Sequence, residues 1–556
     1  MARFCRGGCS PLRKFPGFAG AIVYDARKRG ACRNGVPSRA RDAPPPMSRL
    51  CLAAVAALAV STSAAHARIS IDANFDHGSL ESWTGDLINV NLVGRDNYYG
   101  GGKWRWVNFN ASGVLNAKPT FSISSNFAGD ATPGLHELQE HEFVYSYDGE
   151  HWQFFENNQL NGSTFSFSSS TPFTQNEVQI AYAIPYSYGR TVSHTQQVLA
   201  SPWAAPSPSA NAAGVIGGSA PGVDDLGRAV PALDVFGYRI TNPATDSATE
   251  AKLKVVISSG LHAGESIGTW TYQGMVDWLV SDDPRAAWMR DNVEVLAYPV
   301  LNPSGRYAGM SRTTVNNEGR DPNGLWDSTR WSSSSYGCGG ANCKEIRDTA
   351  NAMIADVNAT PGGVDAYIDF HSTVPDYTID PIDGRPDDFA YVTEEDLGAD
   401  WLAEISDLQP NLLTAVSGGG SYTTAGFARR RLGAEVEITL ETQFTWERNT
   451  DYYLNLGANF GIAFYNAWAP QLDGDFNFDG EVNAADYTVW RDTQGATGPG
   501  LVADANGDNV VDGLDYAVWQ GNYGATLAGG AESVPEPASI VTALLAVVGG
   551  WRGRSR

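Results

Sequence analysis

Residues 252–265 read KLKVVISSGLHAGE. An apolar run of strand length, 252–258, meets Gly260 and then delivers His262 and Glu265, three positions apart, where the chain turns. Three more runs of the same kind follow: VEVLAYPV at 293–300, AYIDF at 366–370 and EVEITL at 435–440. Amphipathic stretches of helical length separate them, most clearly at 272–280 and 343–357. Short continuous apolar strands alternating with helices imply an α/β domain with a sheet buried on both faces, and its bounds are expected at 230–470.

The ends of these runs carry the chemistry. The third run leads into Asp369-Phe370-His371 and the fourth into Thr439-Leu440-Glu441. In open α/β sheets, ligands gather beyond the carboxyl ends of the strands, so His262, Glu265, His371 and Glu441 are expected to converge. Two imidazoles and a carboxylate make a catalytic zinc site that leaves one position for water. A second carboxylate beside that water is suited to take its proton.

With these residues in place, the chain resembles the zinc carboxypeptidases of the carboxypeptidase A type, and among them the cytosolic-carboxypeptidase branch, over roughly 75–470. Phe75-Asp76-His77-Gly78-Ser79-Leu80 and Pro185-Tyr186-Ser187-Tyr188 resemble the N-terminal domain of that branch. The resemblance implies His262, Glu265 and His371 as zinc ligands, with Glu441 as general base. Asn302-Pro303-Ser304-Gly305 matches the family's N-P-D-G turn, and Arg312, ten residues after Asn302, matches the arginine that stabilises the oxyanion. Tyr422, in Gly420-Ser421-Tyr422-Thr423, matches the mobile tyrosine that caps the substrate. One position departs from the pattern. The family's Asn-Arg pair, which clamps the substrate's terminal carboxylate, corresponds to Asn323-Gly324, so the asparagine is kept and the arginine is lost. Arg320, Arg306 and the run Arg429-Arg430-Arg431 are the cations that could compensate.

Residues 471–525 hold an internal repeat. Asp475, Asn477, Asp479, Asn483 and Asp486 recur 29 positions later as Asp504, Asn506, Asp508, Asp512 and Asp515. Oxygen ligands at loop positions 1, 3, 5, 9 and 12 suit calcium, with a sharp turn needed at position 6. Gly480 stands there in one copy and Asn509, which tolerates the left-handed conformation, in the other. Two such loops, each leading into a helix, resemble a type I dockerin, which implies two structural calcium ions and a cohesin-like partner.

The rest of the chain frames these parts. Residues 68–200 are rich in aromatic, Ser and Asn residues, with short alternating stretches between recurrent Gly and Asn turns, which is the pattern of an antiparallel β-sandwich. A Pro-, Ala- and Gly-rich linker is expected at 201–229. Residues 47–67, MSRLCLAAVAALAVSTSAAHA, read as a secretory signal peptide, which makes the basic residues 1–46 a mis-called extension or a disordered arm. Val534-Pro535-Glu536-Pro537 followed by an apolar stretch and Arg552, Arg554 and Arg556 resembles a PEP-CTERM sorting tail at 534–556, which implies processing by sorting machinery. Both ends point to an exported protein of the cell envelope or the extracellular space. Beyond the leader only Cys338 and Cys343 remain, and an oxidising compartment favours a disulfide between them. A formal net charge of −24 over 556 residues excludes nucleic acid as a partner.

The expected protein is therefore multidomain: an antiparallel β-sandwich, an α/β zinc-peptidase domain with a mixed central sheet and helices on both faces, and a small helical calcium-loop module. Its expected activity is hydrolysis of peptide bonds at the C-terminus. A scaffold protein that keeps the peptidase fold without catalysis, and a zinc amidase or deacylase acting on cell-wall or acylated substrates, are the competing readings.

Overall fold

The computed structural model describes residues 68–527 apart from 97–102, 128–137, 139–140, 248–249, 318, 374–387, 394–395, 410–411, 417–419, 446–447 and 499. The expected extension at 1–46, signal peptide at 47–67 and sorting tail at 534–556 lie outside the described residues.

The N-terminal part is built from ten strands: β1 (Ser70–Asp72), β2 (Ser82–Gly85), β3 (Asn89–Val93), β4 (Asn108–Ser112), β5 (Thr120–Ser124), β6 (Val144–Ser146), β7 (Trp152–Phe154), β8 (Asn157–Asn161), β9 (Thr164–Ser168) and β10 (Glu177–Ala181). They form two five-stranded sheets, ordered β1-β4-β10-β6-β7 and β2-β3-β5-β9-β8. Alternation decides which side chains enter the core. In β3, Val90 and Leu92 are buried while Asn89 and Asn91 face water, and β9 buries Phe165 and Phe167 in the same way. The two sheets share this core: Phe109 of β4 meets Phe121 of β5 at a ring separation of 5.8 Å. The expectation of a purely antiparallel arrangement needs one correction. Strands β3 and β5 pair in parallel, because β4, which lies between them in sequence, belongs to the other sheet and the chain crosses over twice.

A helix, α1 (Tyr188–Leu199), follows, with the Ser187 hydroxyl accepting the Arg190 N–H at 3.1 Å as its N-cap. The expected linker at 201–229 is also corrected. Strand β11 (Ala204–Pro206) pairs with β16 (Tyr238–Ile240), β12 (Val215–Gly218) with β15 (Asp234–Phe236), and β13 (Gly222–Val223) with β14 (Ala229–Val230). The Pro and Gly residues that suggest a linker serve edges and turns, where a missing N–H or a bend costs nothing; Pro206 lies on the outermost strand.

The central sheet adds β17 (Leu253–Ser259), β18 (Val293–Tyr298), β19 (Ala366–Thr373), β20 (Asp388–Thr393), β21 (Leu412–Val416) and β22 (Val436–Gln443). Its order is β11-β16-β18-β17-β19-β22-β20-β21. The four middle strands run parallel, and β16 and β20 pair antiparallel on either side, so the sheet is mixed. Helices cover both faces. Val255, Ile257, Ile368, Phe370, Ile438 and Leu440 pack on one side against α2 (Ser266–Leu279), α3 (Pro284–Asn292), α6 (Asp396–Leu408) and α8 (Thr450–Trp468). Val256, Leu296 and Tyr367 face the opposite side, against α5 (Lys344–Val357) and the short α7 (Thr424–Phe427). A further short helix, α4 (Pro303–Tyr307), opens after Asn302. Each fully buried aliphatic side chain contributes roughly 1.5–3 kcal/mol, so this two-faced core fixes the strand ends that carry the site. Cys338 and Cys343 form a disulfide just before α5.

The last described part has α9 (Ala484–Thr493) and α10 (Gly513–Asn522), related by a local repeat. The indole of Trp490 donates to the Asp512 carbonyl at 2.7 Å, and that of Trp519 donates to the Asn483 carbonyl at 2.9 Å, so each helix closes on the other's loop.

Candidate metal centre and active site

Gly260 takes φ +65° at the end of β17, the left-handed turn that sends the chain back toward the sheet, and His262 and Glu265 follow at once. Glu265 is the N-cap of α2 but does not cap it with its side chain, which leaves the carboxylate free to face the strand ends. Helix α2 approaches β19 closely because Gly268 has no Cβ; an added one would sit 2.5 Å from the His371 carbonyl oxygen. That approach brings Glu265 to His371.

His262, Glu265 and His371 converge: one ligand atom from each lies within 4.8 Å of the others, and all three side chains are buried. Nδ1 of His262 is 2.8 Å from Glu265 Oε1, Nδ1 of His371 is 2.9 Å from Oε2, and the two Nδ1 atoms are 3.2 Å apart. Both imidazoles turn the same nitrogen to one point and anchor the other on a carboxylate. His371 Nε2–H donates to Asp369 at 2.8 Å, and His262 Nε2–H donates to Asp321 at 3.1 Å. This fits zinc. Two nitrogens bound to one tetrahedral ion at 2.0–2.1 Å stand about 3.3 Å apart, and carboxylates behind the imidazoles are the usual support for metal-ligating histidines.

The anchors are themselves held. Asp369 accepts the Ser258 hydroxyl at 2.9 Å and the Thr424 hydroxyl. Asp321 accepts Arg312 Nε–H at 2.9 Å and the Asn323 N–H at 2.8 Å. Burial works against ionisation of Asp321, but the hydrogen bond and charge of His262 together with Arg312 win, and its carboxyl falls well below the usual range. Sequence reasoning gave neither aspartate a role. Asp369 was findable, since residues two apart on a strand share a face; the contact between Asp321 and His262 spans 59 positions and has no local signal.

Glu441 sits on β22 directly opposite His371 on β19. Burial raises its carboxyl to about 7, the charge of Glu265 adds to the rise, and His371, His262 and Arg312 pull it back. Arg312 reaches the same cluster, with Nη1 3.4 Å from Glu265 Oε1. The Asn323 side chain accepts the Thr424 N–H at 3.0 Å, which ties the 321–324 loop to α7. Tyr422 is 38% exposed, and its carbonyl accepts the Trp326 N–H at 2.9 Å. A cleft beside Glu265 and Ser372 is closed on its other side by Arg105 and Tyr182 of the N-terminal part and by Phe444.

Two expected substitutes for the lost clamp arginine are excluded. Arg306 is fully buried and donates to the Tyr186 carbonyl at 2.9 Å and the Thr269 hydroxyl at 3.0 Å, so it braces the fold behind the site. Arg429 is spent on a two-pronged pair with Glu437, at 2.8 and 2.7 Å. Arg320 lies over the ring of Tyr336, 5.9 Å from its centre.

The expected calcium residues are brought together loop by loop. Asp475 accepts the N–H groups of Asp479 and Gly480, and Asp504 accepts those of Asp508 and Asn509. Gly480 and Asn509 both adopt positive φ, +86° and +64°, as position 6 requires. Asn477 and Asp479 meet through the Asn477 amide at 2.9 Å, and Asn506 and Asp508 do the same at 3.1 Å. Asn483 and Asp512 cap α9 and α10, in boxes completed by Asp486 and Asp515.

Residues 222–374 match the zinc carboxypeptidase family. Over this stretch the chain is similar to the zinc carboxypeptidases. The chain shares 37% identity over 99 residues with human cytosolic carboxypeptidase 2, and 35% over 99 residues with the same protein of Xenopus tropicalis. Those matches cover 18% of this chain and only 11% and 10% of the relatives' lengths. In overall fold the chain is similar to a metallo-carboxypeptidase from Burkholderia cenocepacia, with TM-score 0.55 and 21% identity over 72% of this chain and 98% of that one. It is similar also to a metallo-carboxypeptidase from Pseudomonas aeruginosa, with TM-score 0.52 and 19% identity over 71% of this chain and 98% of that one. Both likenesses concern the fold.

Proposed function

We propose that the chain is an exported zinc carboxypeptidase that hydrolyses the C-terminal peptide bond of peptides or proteins. The convergence of His262, Glu265 and His371, with Glu441 on the adjacent strand, carries this reading. Zinc bound at the three ligands supplies Lewis-acid polarisation of a carbonyl and acidifies a water. Glu441, with a carboxyl near neutrality, takes the proton of the attacking water and passes it to the departing amine. Arg312 exchanges its contacts with Asp321 and Glu265 for the oxyanion, where a guanidinium meets the developing charge. Asn323 and Tyr422 line the side that receives the C-terminal residue. The complete His262, Glu265 and His371 set with Glu441 beside it favours this reading over a scaffold that had abandoned catalysis.

Export rests on the leader and tail sequences, and the Cys338–Cys343 disulfide agrees with an oxidising compartment. The loops at 475–486 and 504–515 support a dockerin-like, calcium-stabilised module, through which a cohesin-like partner would dock.

The test uses the purified chain with free-acid and C-terminally amidated peptides, with and without a zinc chelator. Chelator-sensitive release of C-terminal residues from the free acids is expected. Equal cleavage of the amides contradicts exopeptidase action, and an absence of chelator-sensitive cleavage contradicts the enzyme.

A further inference from the structure

Gly324 leaves open space beside the 321–324 loop. A Cβ built on it meets no atom within 4 Å, so the space a longer side chain would fill is open. Six residues further on, Arg330 turns back to this place. Its Nη1–H donates to the Gly324 carbonyl at 2.8 Å, and its guanidinium carbon lies over the Tyr422 ring, 3.2 Å from the ring centre. Tyr336 flanks it at 4.7 Å. Among the described residues no carboxylate pairs with it. One hydrogen bond and a ring face hold the group in place, and most of its five N–H donors remain available.

A guanidinium held this way is suited to one class of ligand. Its fixed fork matches a carboxylate by two parallel N–H···O bonds. The position is also right. Gly324 follows Asp321 by three residues, which keeps it within about 11 Å of the residue that holds His262 at 3.1 Å. Asn323 lies between them. The surface arginines at 429 and 320 lack such a setting, being committed to Glu437 or lying over Tyr336 alone.

We propose that Arg330, stacked on Tyr422 beside Gly324, binds the terminal carboxylate of the peptide substrate and sets the requirement for a free C-terminus. This rests on the peptidase reading above. The two rings and the Gly324 carbonyl position the guanidinium before substrate arrives, and Tyr422 is at once its platform and its neighbour in the same subsite. A side chain reaching from 330 into the gap at 324 does the work that an arginine at 324 would do.

The test measures binding as well as turnover. In the full-length zinc-loaded E441Q protein, an N-acetylated dipeptide is titrated as free acid and as amide. The acid is expected to bind about 10- to 100-fold more tightly, the range for hydrogen bonds to a charged group. Adding Arg330→Ala brings the ratio close to one, and adding Gly324→Arg to that variant restores a preference for the acid, which a merely structural role for Arg330 would not allow. Equal binding of acid and amide in E441Q overturns the proposal, as does a ratio that survives Arg330→Ala. Chelator-sensitive turnover by the wild-type chain is scored separately. If turnover is absent while the Arg330-dependent ratio holds, the hydrolytic reading fails and the carboxylate subsite stands.

Discussion

Oδ2 of Asp369 lies 2.8 Å from Nε2 of His371, two residues further along the same strand. The pair fixes the imidazole so that Nδ1 faces Glu265 and His262. Asp369 is fully buried, and among the described residues its charge is satisfied by His371, Ser258 and Thr424. An Asp369→Asn variant keeps the shape but removes the acceptor that orients the ring. Its zinc affinity should fall about 10- to 100-fold in a competitive chelator titration. Unchanged affinity would mean that the ring is oriented by its other contacts.

In the proposed mechanism Glu441 acts as the base and not as a ligand of the ion. Glu441→Gln should retain one zinc per chain and lose about 10²- to 10⁴-fold in kcat, the scale of a general acid–base contribution. Metal content together with steady-state kinetics checks this. Loss of zinc alongside activity would reassign Glu441 as a ligand.

Much of this was legible in the sequence. The four strand-length runs correspond to β17, β18, β19 and β22 within a few residues, because an apolar run bounded by turns is a local signal. The ends of those runs carry His262, Glu265, His371 and Glu441. Strand order was not legible: the placing of β20 antiparallel beside β22 is settled by contacts between distant segments. The start of α2 was also hidden. Ser266–Thr271 is poor in helix formers, and the helix begins there because those residues are buried, with Ile267 and Trp270 entering the aromatic core of the N-terminal part. The role of Arg330 was equally out of reach, since only the fold brings it back onto Gly324.

His141 makes the N-terminal part sensitive to acid. Its ring stacks on Tyr182 at 4.0 Å, its Nε2–H donates to the Tyr182 carbonyl at 2.9 Å, and burial pushes its pKa down to about 3. The unfolded chain therefore takes up this proton first. The stability this group contributes is complete above the ordinary histidine value of 6.5 and is lost as pH falls from there toward 3, by about 1.4 kcal/mol per unit. Unfolding followed by calorimetry across that window should show the decline, and His141→Gln, which keeps an N–H donor, should make it shallower, the buried His77 accounting for part of what remains. An identical slope in the variant would place the acid sensitivity elsewhere.

Calcium should stabilise the C-terminal repeat. We expect millimolar calcium to raise the melting temperature of the α9–α10 part by several degrees and a calcium chelator to reverse it. Asp475→Ala and Asp504→Ala should each remove part of the response. A melting temperature indifferent to calcium would leave the loops as capping devices for α9 and α10.

The central claim is that His262, Glu265 and His371 hold one ion together. Anomalous diffraction from crystals of the full chain, recorded on both sides of the zinc absorption edge, addresses it without reference to activity. We expect a single strong peak bonded to His262 Nδ1, a Glu265 oxygen and His371 Nδ1, and its disappearance in His371→Ala. A zinc-loaded crystal with no peak there, or with a peak that touches only one of the three side chains, would contradict the account.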